Sequence, residues 1–333
     1  MSWKVLVTTQ AIKRSGQRAQ EFLRKAGCKI FFSPKPGPLN AKEVKSALGG
    51  MDAVLASLDD YSAMVLSSRA AAQLKIIARW GVGYDKIDLD AATQKGILVS
   101  YTPGLLDDTV ADYTFALLLS LARRVYEGQF TVRRRKWEVF WGDDVSGKTL
   151  GIIGYGRIGQ AVAQRARGFN MRVLAYDPHP KVRSRQSGIR FVPLNELLSG
   201  SDFVSLHSSL TPQNRGLIGK AQLRKMKPSA YFINTARGAL VDEAALARAL
   251  REGRIAGAAL DVFAIEPLPK ASQLHGAPNL LLSPHQASFS RESSERVGLA
   301  AAQGIVDLMN GQRPQNILNP KVFKSPALRA EIS

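Results

Sequence analysis

The chain has one cysteine and four histidines among 333 residues. A single cysteine excludes an internal disulfide framework and suits a reducing compartment, and Cys28 itself reads as a small buried hydrophobe. No histidine–carboxylate pair has metal-ligand spacing, so no metal is expected, and nothing resembles a serine or cysteine nucleophile elbow. Long apolar runs are missing too: the longest, around Tyr113 to Ala122, is interrupted by Thr and Ser and has about half the length that crosses a bilayer. The start, MSWKVLVTT, enters a strand-like alternation without the charged segment and apolar stretch of a secretory signal. A cytoplasmic protein that spans no membrane is expected.

Acidic residues are scarce beside basic ones, 27 against 46, for a formal charge of +19. The run Arg133, Arg134, Arg135 and Lys136 beside Trp137 invites a nucleic-acid reading. Basic residues scatter over nearly every predicted helix, however, and form no recognisable binding module. A solvated surface that steers small anions accounts for the charge, and nucleic acid is not expected as a partner.

With 45% hydrophobic residues, the length suits two cores better than one. Short apolar runs alternate with helical patterns: KVLVTT, a helix to Gly27, KIFFS, a helix opened by Asn40, then DAVLAS and LKIIARW. This rhythm implies α/β structure with a parallel sheet. After ILVSYTP it changes to a long helix, Asp107 to about Arg124, and a basic, tryptophan-containing excursion ending at Gly147. From Thr149 the alternation restarts with TLGIIG and runs through MRVLAYD, FVSLH, AYFINTA, GAALDVF and LLLSP. The last helix, about Ser290 to Asn310, has no obvious place on the second sheet. We therefore expect two doubly wound parallel-sheet domains, with a Rossmann domain (102–289) inserted into a flavodoxin-like substrate domain (1–101 and 290–333).

Gly154, Gly156 and Gly159 in GIIGYGRIGQAV follow a predicted strand and open a predicted helix. The first glycine permits a tight turn, the second lets backbone approach a pyrophosphate, and the third lets helix and strand pack closely. Unpaired N–H groups at the helix start, near Arg157 and Ile158, then face phosphates. About twenty residues on, Asp177 ends the next strand, where a carboxylate accepts hydrogen bonds from ribose hydroxyls and repels the extra phosphate of NADP. NAD is the expected cofactor, with Lys181 and Arg183 close enough to soften the choice.

Hydride exchange with a 2-hydroxy acid needs an acid/base at the substrate oxygen and a cation for the carboxylate. Three predicted strand ends supply them: Arg237 after AYFINTA, Glu266 after GAALDVF and His285 after LLLSP. Ligands of open α/β sheets gather at that edge, where the glycine turn also lies. A carboxylate beside His285 favours its charged form, and Arg237 can form a forked pair with a carboxylate. His179, His207 and His275 are less suitable: the first lies in a DPHP turn, the second ends a strand and the third sits in a loop.

With these residues in place, the chain resembles the D-isomer-specific 2-hydroxyacid dehydrogenases. The motifs are RWGVGYDKID, TPGLLDDTVAD, GKTLGIIGYGRIGQAVA, NTARGALVDEAAL, GAALDVFAIEP and SPHQAS, in family order from about Leu74 to Gly311. The first seventy or so residues match only in rhythm. The resemblance implies that Arg237 binds substrate, His285 is the acid/base and Glu266 its partner. It implies that the N–H groups of Val82 and Gly83 hold the substrate carboxylate and that Asp261 touches the nicotinamide carboxamide. Thr102 and Ser208 match positions lining the cofactor cleft. It further implies D stereochemistry and a homodimer through the NAD-binding domains, formed largely by the helix from Asp107 and the excursion after it.

Gln286, Phe289 and Lys86 depart from the family pattern, which puts the shape and polarity of the substrate pocket in doubt and leaves the acid/base chemistry intact. Arg79 stands where phosphoglycerate enzymes place an arginine, and equally reads as a strand-end surface residue. The expected activity is NAD-linked oxidation of a small D-2-hydroxy acid, leaning to D-3-phosphoglycerate. The alternatives are a glyoxylate/hydroxypyruvate reductase and, in a different class, an NAD(H)-sensing binding protein like the corepressors related to this family.

Overall fold

The computed structural model describes residues 2–35, 37–179 and 189–332. The chain divides into two compact units, residues 1–106 with 289–333, and residues 107–288. Thr102 therefore lies in the first.

The first unit begins β1 (Lys4–Val7), α1 (Gln10–Ser15), α2 (Gln17–Lys25), β2 (Lys29–Phe32), α3 (Ala41–Leu48) and β3 (Ala53–Ala56). It continues α4 (Ala63–Leu66), β4 (Ile76–Arg79), α5 (Leu89–Gln94) and β5 (Leu98–Ser100). The strands form one parallel sheet in the order β2-β1-β3-β4-β5. Every residue of β3 and β4 is buried, which is why these segments read as continuous apolar runs instead of an alternation. Asn40 caps α3 with Glu43 in a reciprocal capping box, as its place before a helical pattern implied. Instead of one helix up to Gly27 there are two, broken at Gly16, where a Cβ would lie 2.7 Å from the Ile12 Cα.

The second unit opens with α6 (Asp107–Ala122), α7 (Val125–Arg133), β6 (Thr149–Ile153), α8 (Arg157–Gly168), β7 (Arg172–Tyr176) and β8 (Ile189–Phe191). It continues α9 (Leu194–Gly200), β9 (Phe203–Leu206), α10 (Lys220–Leu223), β10 (Tyr231–Asn234), α11 (Glu243–Arg251), β11 (Gly257–Leu260) and β12 (Leu280–Leu282). All seven strands are parallel, in the order β12-β11-β10-β9-β6-β7-β8. Alternate strand residues feed two apolar layers. Ile153, Leu206, Phe232 and Leu260 join one, with residues of α9 and α11. Ile152, Phe203, Ile233 and Ala259 join the other, with α6 and α8. The order reverses between β6 and β9, so the carboxyl ends of these two strands flank the switch point where such sheets bind ligands.

The long helix expected to run to about Arg124 stops at Ala122, and Arg124 takes φ 51° before α7 begins. A left-handed arginine carries no mark in sequence, unlike the glycine that usually fills that conformation. The edge strand β8 was also not foreseen, being three residues long with Arg190 exposed.

The chain then returns to the first unit as α12 (Arg291–Met309), which packs on α1, α2 and β4. At Gly298 a Cβ would stand 2.5 Å from the Ile12 Cδ1, so glycine lets these helices close up. Beyond α12, Asn319 exchanges hydrogen bonds with Val99 N and Ile97 O and fastens the tail beside β5.

Candidate active site

The turn from β6 into α8 is built for close approach. Gly154 has φ +92°, and a Cβ there would lie 2.6 Å from Ser208 N, so glycine is required and Ser208 sits against the turn. A Cβ on Gly159 would lie 2.2 Å from the Gly154 carbonyl oxygen, which fixes the contact of helix with strand. Nothing lies within 4 Å of a Cβ on Gly156. Internal packing does not demand that glycine, and the open space is what an approaching pyrophosphate needs. Gly156 N-caps α8 without a side-chain cap, so the N–H groups at Arg157 and Ile158 form an anion-binding end.

Asp177 follows β7 and accepts the Tyr155 N–H at 2.8 Å through Oδ2 and the His179 N–H at 2.9 Å through Oδ1. Its carboxylate thus touches the glycine turn and keeps lone pairs for ribose hydroxyls. Lys181 and Arg183 lie outside the described residues.

At the ends of β10, β11 and β12 the three expected chemical residues come from adjacent strands. His285 Nδ1 pairs with Glu266 Oε2 at 2.7 Å, and Glu266 Oε1 accepts the Phe263 N–H at 2.9 Å. Burial pushes the Glu266 carboxyl up, but the hydrogen bond and charge of His285, the Phe263 N–H and the nearby Arg237 charge together hold it below its ordinary value. An ionised carboxylate only accepts, so Nδ1 carries the proton and Nε2 is the nitrogen available to a substrate oxygen. Arg237 reaches this neighbourhood because Gly238 abuts the loop after β11: a Cβ there would lie 1.9 Å from the Phe263 carbonyl carbon.

Two carboxylates hold these loops. Asp261 is 0% exposed; Oδ1 accepts from Ser283 Oγ and Gln286 N, and Oδ2 from Ala287 N. This encloses the group expected at the nicotinamide carboxamide within the loop that carries His285. Glu243, which sequence reasoning missed, accepts the Ala264 N–H at 2.6 Å and so ties α11 to the Glu266 loop. Its carboxyl is raised by burial, with the Glu266 charge adding to the effect and the Ala264 N–H opposing it. VDE after NTARG was the available signal, since Asp242 caps α11 and puts Glu243 in the first turn.

In the first unit, Gly81 N donates to Thr102 Oγ1 at 2.9 Å and Thr102 N donates to Gly81 O at 3.1 Å. Among the described residues, the N–H groups of Val82 and Gly83 donate to no partner. Arg79 is 7% exposed and meets the carbonyls of its own loop, giving Nε to Gly83 O at 2.8 Å and Nη1 to Trp80 O. Arg79 is therefore not a strand-end surface residue.

Residues 115–287 match the model of the D-isomer specific 2-hydroxyacid dehydrogenase NAD binding domain. Over 332 residues the chain is 45% identical to a glyoxylate reductase of Korarchaeum cryptofilum, covering 97% of this chain and 98% of that one. It is 38% identical over 315 residues to a D-3-phosphoglycerate dehydrogenase of Archaeoglobus fulgidus, covering 91% of this chain and 57% of that one. Among solved structures, apo D-lactate dehydrogenase from Escherichia coli superimposes with a TM-score of 0.82 at 32% identity, over 95% of this chain and 99% of that one. The chain belongs to the D-isomer-specific 2-hydroxyacid dehydrogenases.

As a 2-hydroxyacid dehydrogenase it is an NAD-dependent oxidoreductase, and the glycine turn, the uncapped start of α8 and Asp177 fit that cofactor. The remaining histidines of this dehydrogenase have other settings. His207 ends β9, its Nε2 2.7 Å from the fully buried Ser205 Oγ, and burial pushes it down to about 3, so it stays neutral. His179 is exposed beside Asp177, and His275 Nε2 bonds Pro269 O at 3.1 Å. No helix among the described residues is long and apolar enough to cross a membrane.

Proposed function

We propose that this dehydrogenase reduces glyoxylate or a comparably small 2-oxo acid with NADH, and oxidises the corresponding D-2-hydroxy acid in reverse. NAD, when bound, supplies or accepts the hydride. In reduction, His285 Nε2 gives its proton to the substrate oxygen while Glu266 stabilises the imidazolium that has to be present beforehand. Arg237 binds the substrate carboxylate and polarises the carbonyl. In the first unit, the N–H groups of Val82 and Gly83 are assigned to the substrate carboxylate, as the family resemblance implies. Thr102 keeps their loop in place, Ser208 lines the cofactor turn, and Asp261 holds the His285 loop.

The observation that supports the choice of a small acid is the engagement of Arg79 with the carbonyls of Trp80 and Gly83, which weakens the lean to phosphoglycerate. The strong likeness to a glyoxylate reductase agrees with it. The test is oxidation of NADH and of NADPH by purified protein against glyoxylate, hydroxypyruvate and phosphohydroxypyruvate, with His285→Ala as control. Fast turnover of the unphosphorylated acids with NADH is expected. A preference for the phosphorylated acid would return the assignment to phosphoglycerate. Clear NADH binding with no turnover would favour an NAD(H)-sensing protein.

We also assign a homodimer to the NAD-binding unit. Trp137 and Trp141 are 89% and 91% exposed, and Tyr126, Phe130, Val132 and Val139 accompany them on α7 and the segment after it. Exposed apolar groups gathered in this way are characteristic of an interface, and a second copy is the proposed cover. Light scattering of wild type and Trp141→Asp tests it: a Trp141→Asp protein with unchanged mass would overturn this face. The cytoplasm is kept as the place of reaction, in accord with the free thiol of Cys28.

A further inference from the structure

Arg79 ends β4, and its guanidinium touches three carbonyls: Gly83 O at 2.8 Å from Nε, Ala56 O at 3.5 Å from Nη1, and Trp80 O, also from Nη1. Ala56 is the last residue of the neighbouring strand β3. One side chain therefore joins the ends of two strands to both flanks of loop 80–83. Gly81 packs close to the guanidinium: its φ is +124°, and a Cβ would stand 3.1 Å from Arg79 Nη1. Thr102 takes both backbone groups of Gly81 from elsewhere in the loop's surroundings. What the loop has left is the pair of N–H groups at Val82 and Gly83, without a partner among the described residues.

Successive unpaired N–H groups make an anion-binding concavity. A buried cation close behind it strengthens the attraction, because the low dielectric screens the charge less than water does. We propose that Arg79 is a positioning residue for the substrate carboxylate: it turns the loop carbonyls inward, leaves the Val82 and Gly83 N–H groups for the anion, and adds positive potential from beneath. This rests on the reading that loop 81–83 binds the carboxylate. It differs from a phosphate contact in one measurable respect. Every 2-oxo acid carries the carboxylate, so Arg79 serves all of them equally and selects none by phosphate.

The test is steady-state kinetics with NADH on wild type, Arg79→Met, Arg79→Lys and Val82→Pro, using glyoxylate, hydroxypyruvate and phosphohydroxypyruvate, with an inhibition constant where an acid is not turned over. Losing a charge-assisted hydrogen-bond set predicts that Arg79→Met raises KM by roughly ten- to a hundredfold. The same factor is expected for each acid, with kcat changed by less than about threefold and NADH affinity unchanged. Arg79→Lys, which keeps the cation and loses the fork, should fall between the two, and it carries the test if Arg79→Met does not fold. A KM rise confined to the phosphorylated acid would overturn the proposal in favour of a phosphate contact. A lower melting temperature with unchanged KM would overturn it in favour of a purely structural arginine. Val82→Pro removes one of the N–H groups. If it leaves every KM unchanged, the underlying assignment of the carboxylate to this loop fails; if it raises KM while the Arg79 variants do not, only the role of Arg79 fails.

Discussion

Asp261 holds His285 in a left-handed backbone conformation: the Asp261 carbonyl accepts the His285 N–H at 2.7 Å, and the His285 φ is 51°. The Asp261 carboxylate accepts the next two N–H groups, of Gln286 and Ala287. A non-glycine residue in that region persists only where its surroundings over-determine it. Replacing Asp261 by Asn would face one of these buried donors with a second donor, at about 1–3 kcal/mol for each bond lost. Asp261→Asn is therefore expected to lower the melting temperature by several degrees, roughly 4–10 °C, and kcat by about tenfold or more. Calorimetry and kinetics on the same preparation check both. A stable, fully active variant would mean that other contacts set the His285 backbone.

In the proposed mechanism Glu266 acts on the reaction through His285, its hydrogen-bond partner. Glu266→Gln keeps shape and burial but removes the charge that supports the imidazolium. The expected loss in kcat is about a hundredfold or more, with NADH binding kept. Stopped-flow mixing under single-turnover conditions measures the chemical step directly. A rate within a factor of two of wild type would remove Glu266 from the mechanism.

Asp177 touches the glycine turn through Tyr155 N, and its proposed contact with the ribose would set its charge against a 2′-phosphate. Asp177→Ser should weaken NADH and improve NADPH, narrowing the ratio of their kcat/KM values by about tenfold or more. Parallel titrations with the two cofactors give the answer, and an unchanged ratio would show that discrimination lies elsewhere.

His207 supplies a pH dependence of stability with a definite sign. Its ordinary value is 6.5, and in the fold burial pushes it down to about 3. Between these values the unfolded chain takes up a proton and the folded one does not. The contribution is thus complete above pH 6.5 and is lost progressively as the pH falls toward 3. His207→Gln abolishes this term, so the melting temperature of wild type should fall more steeply from pH 7 to pH 4.5 than that of the variant. Equal slopes would contradict the neutral assignment.

Much of this was legible in the sequence because the signals are physical requirements on backbone. Gly154 and Gly159 stand where a Cβ would collide with backbone, and Asn40 stands where a helix begins. Apolar runs such as AVLA and TLGII announced strands covered on both faces. What escaped the sequence depended on partners far along the chain. Arg79 reads the same whether its guanidinium meets a ligand or the carbonyls of Trp80 and Gly83. Glu243 stands 23 positions before Glu266, and its part in the Glu266 loop shows only in the Ala264 N–H that it accepts.

The path of the chain also has a consequence in time. The helix α12, which covers Ile12 and Ala19 at Gly298, is synthesised only after all of residues 107–288. At roughly 5–20 residues per second, the ribosome takes on the order of ten seconds or more to cross that stretch. Throughout that interval the five-stranded sheet is complete in its strands, yet the apolar side of α1 and α2 stays uncovered. The NAD-binding unit has by then every residue it needs, so on the ribosome it can finish first, and the nascent first unit is where a holdase would find its grip.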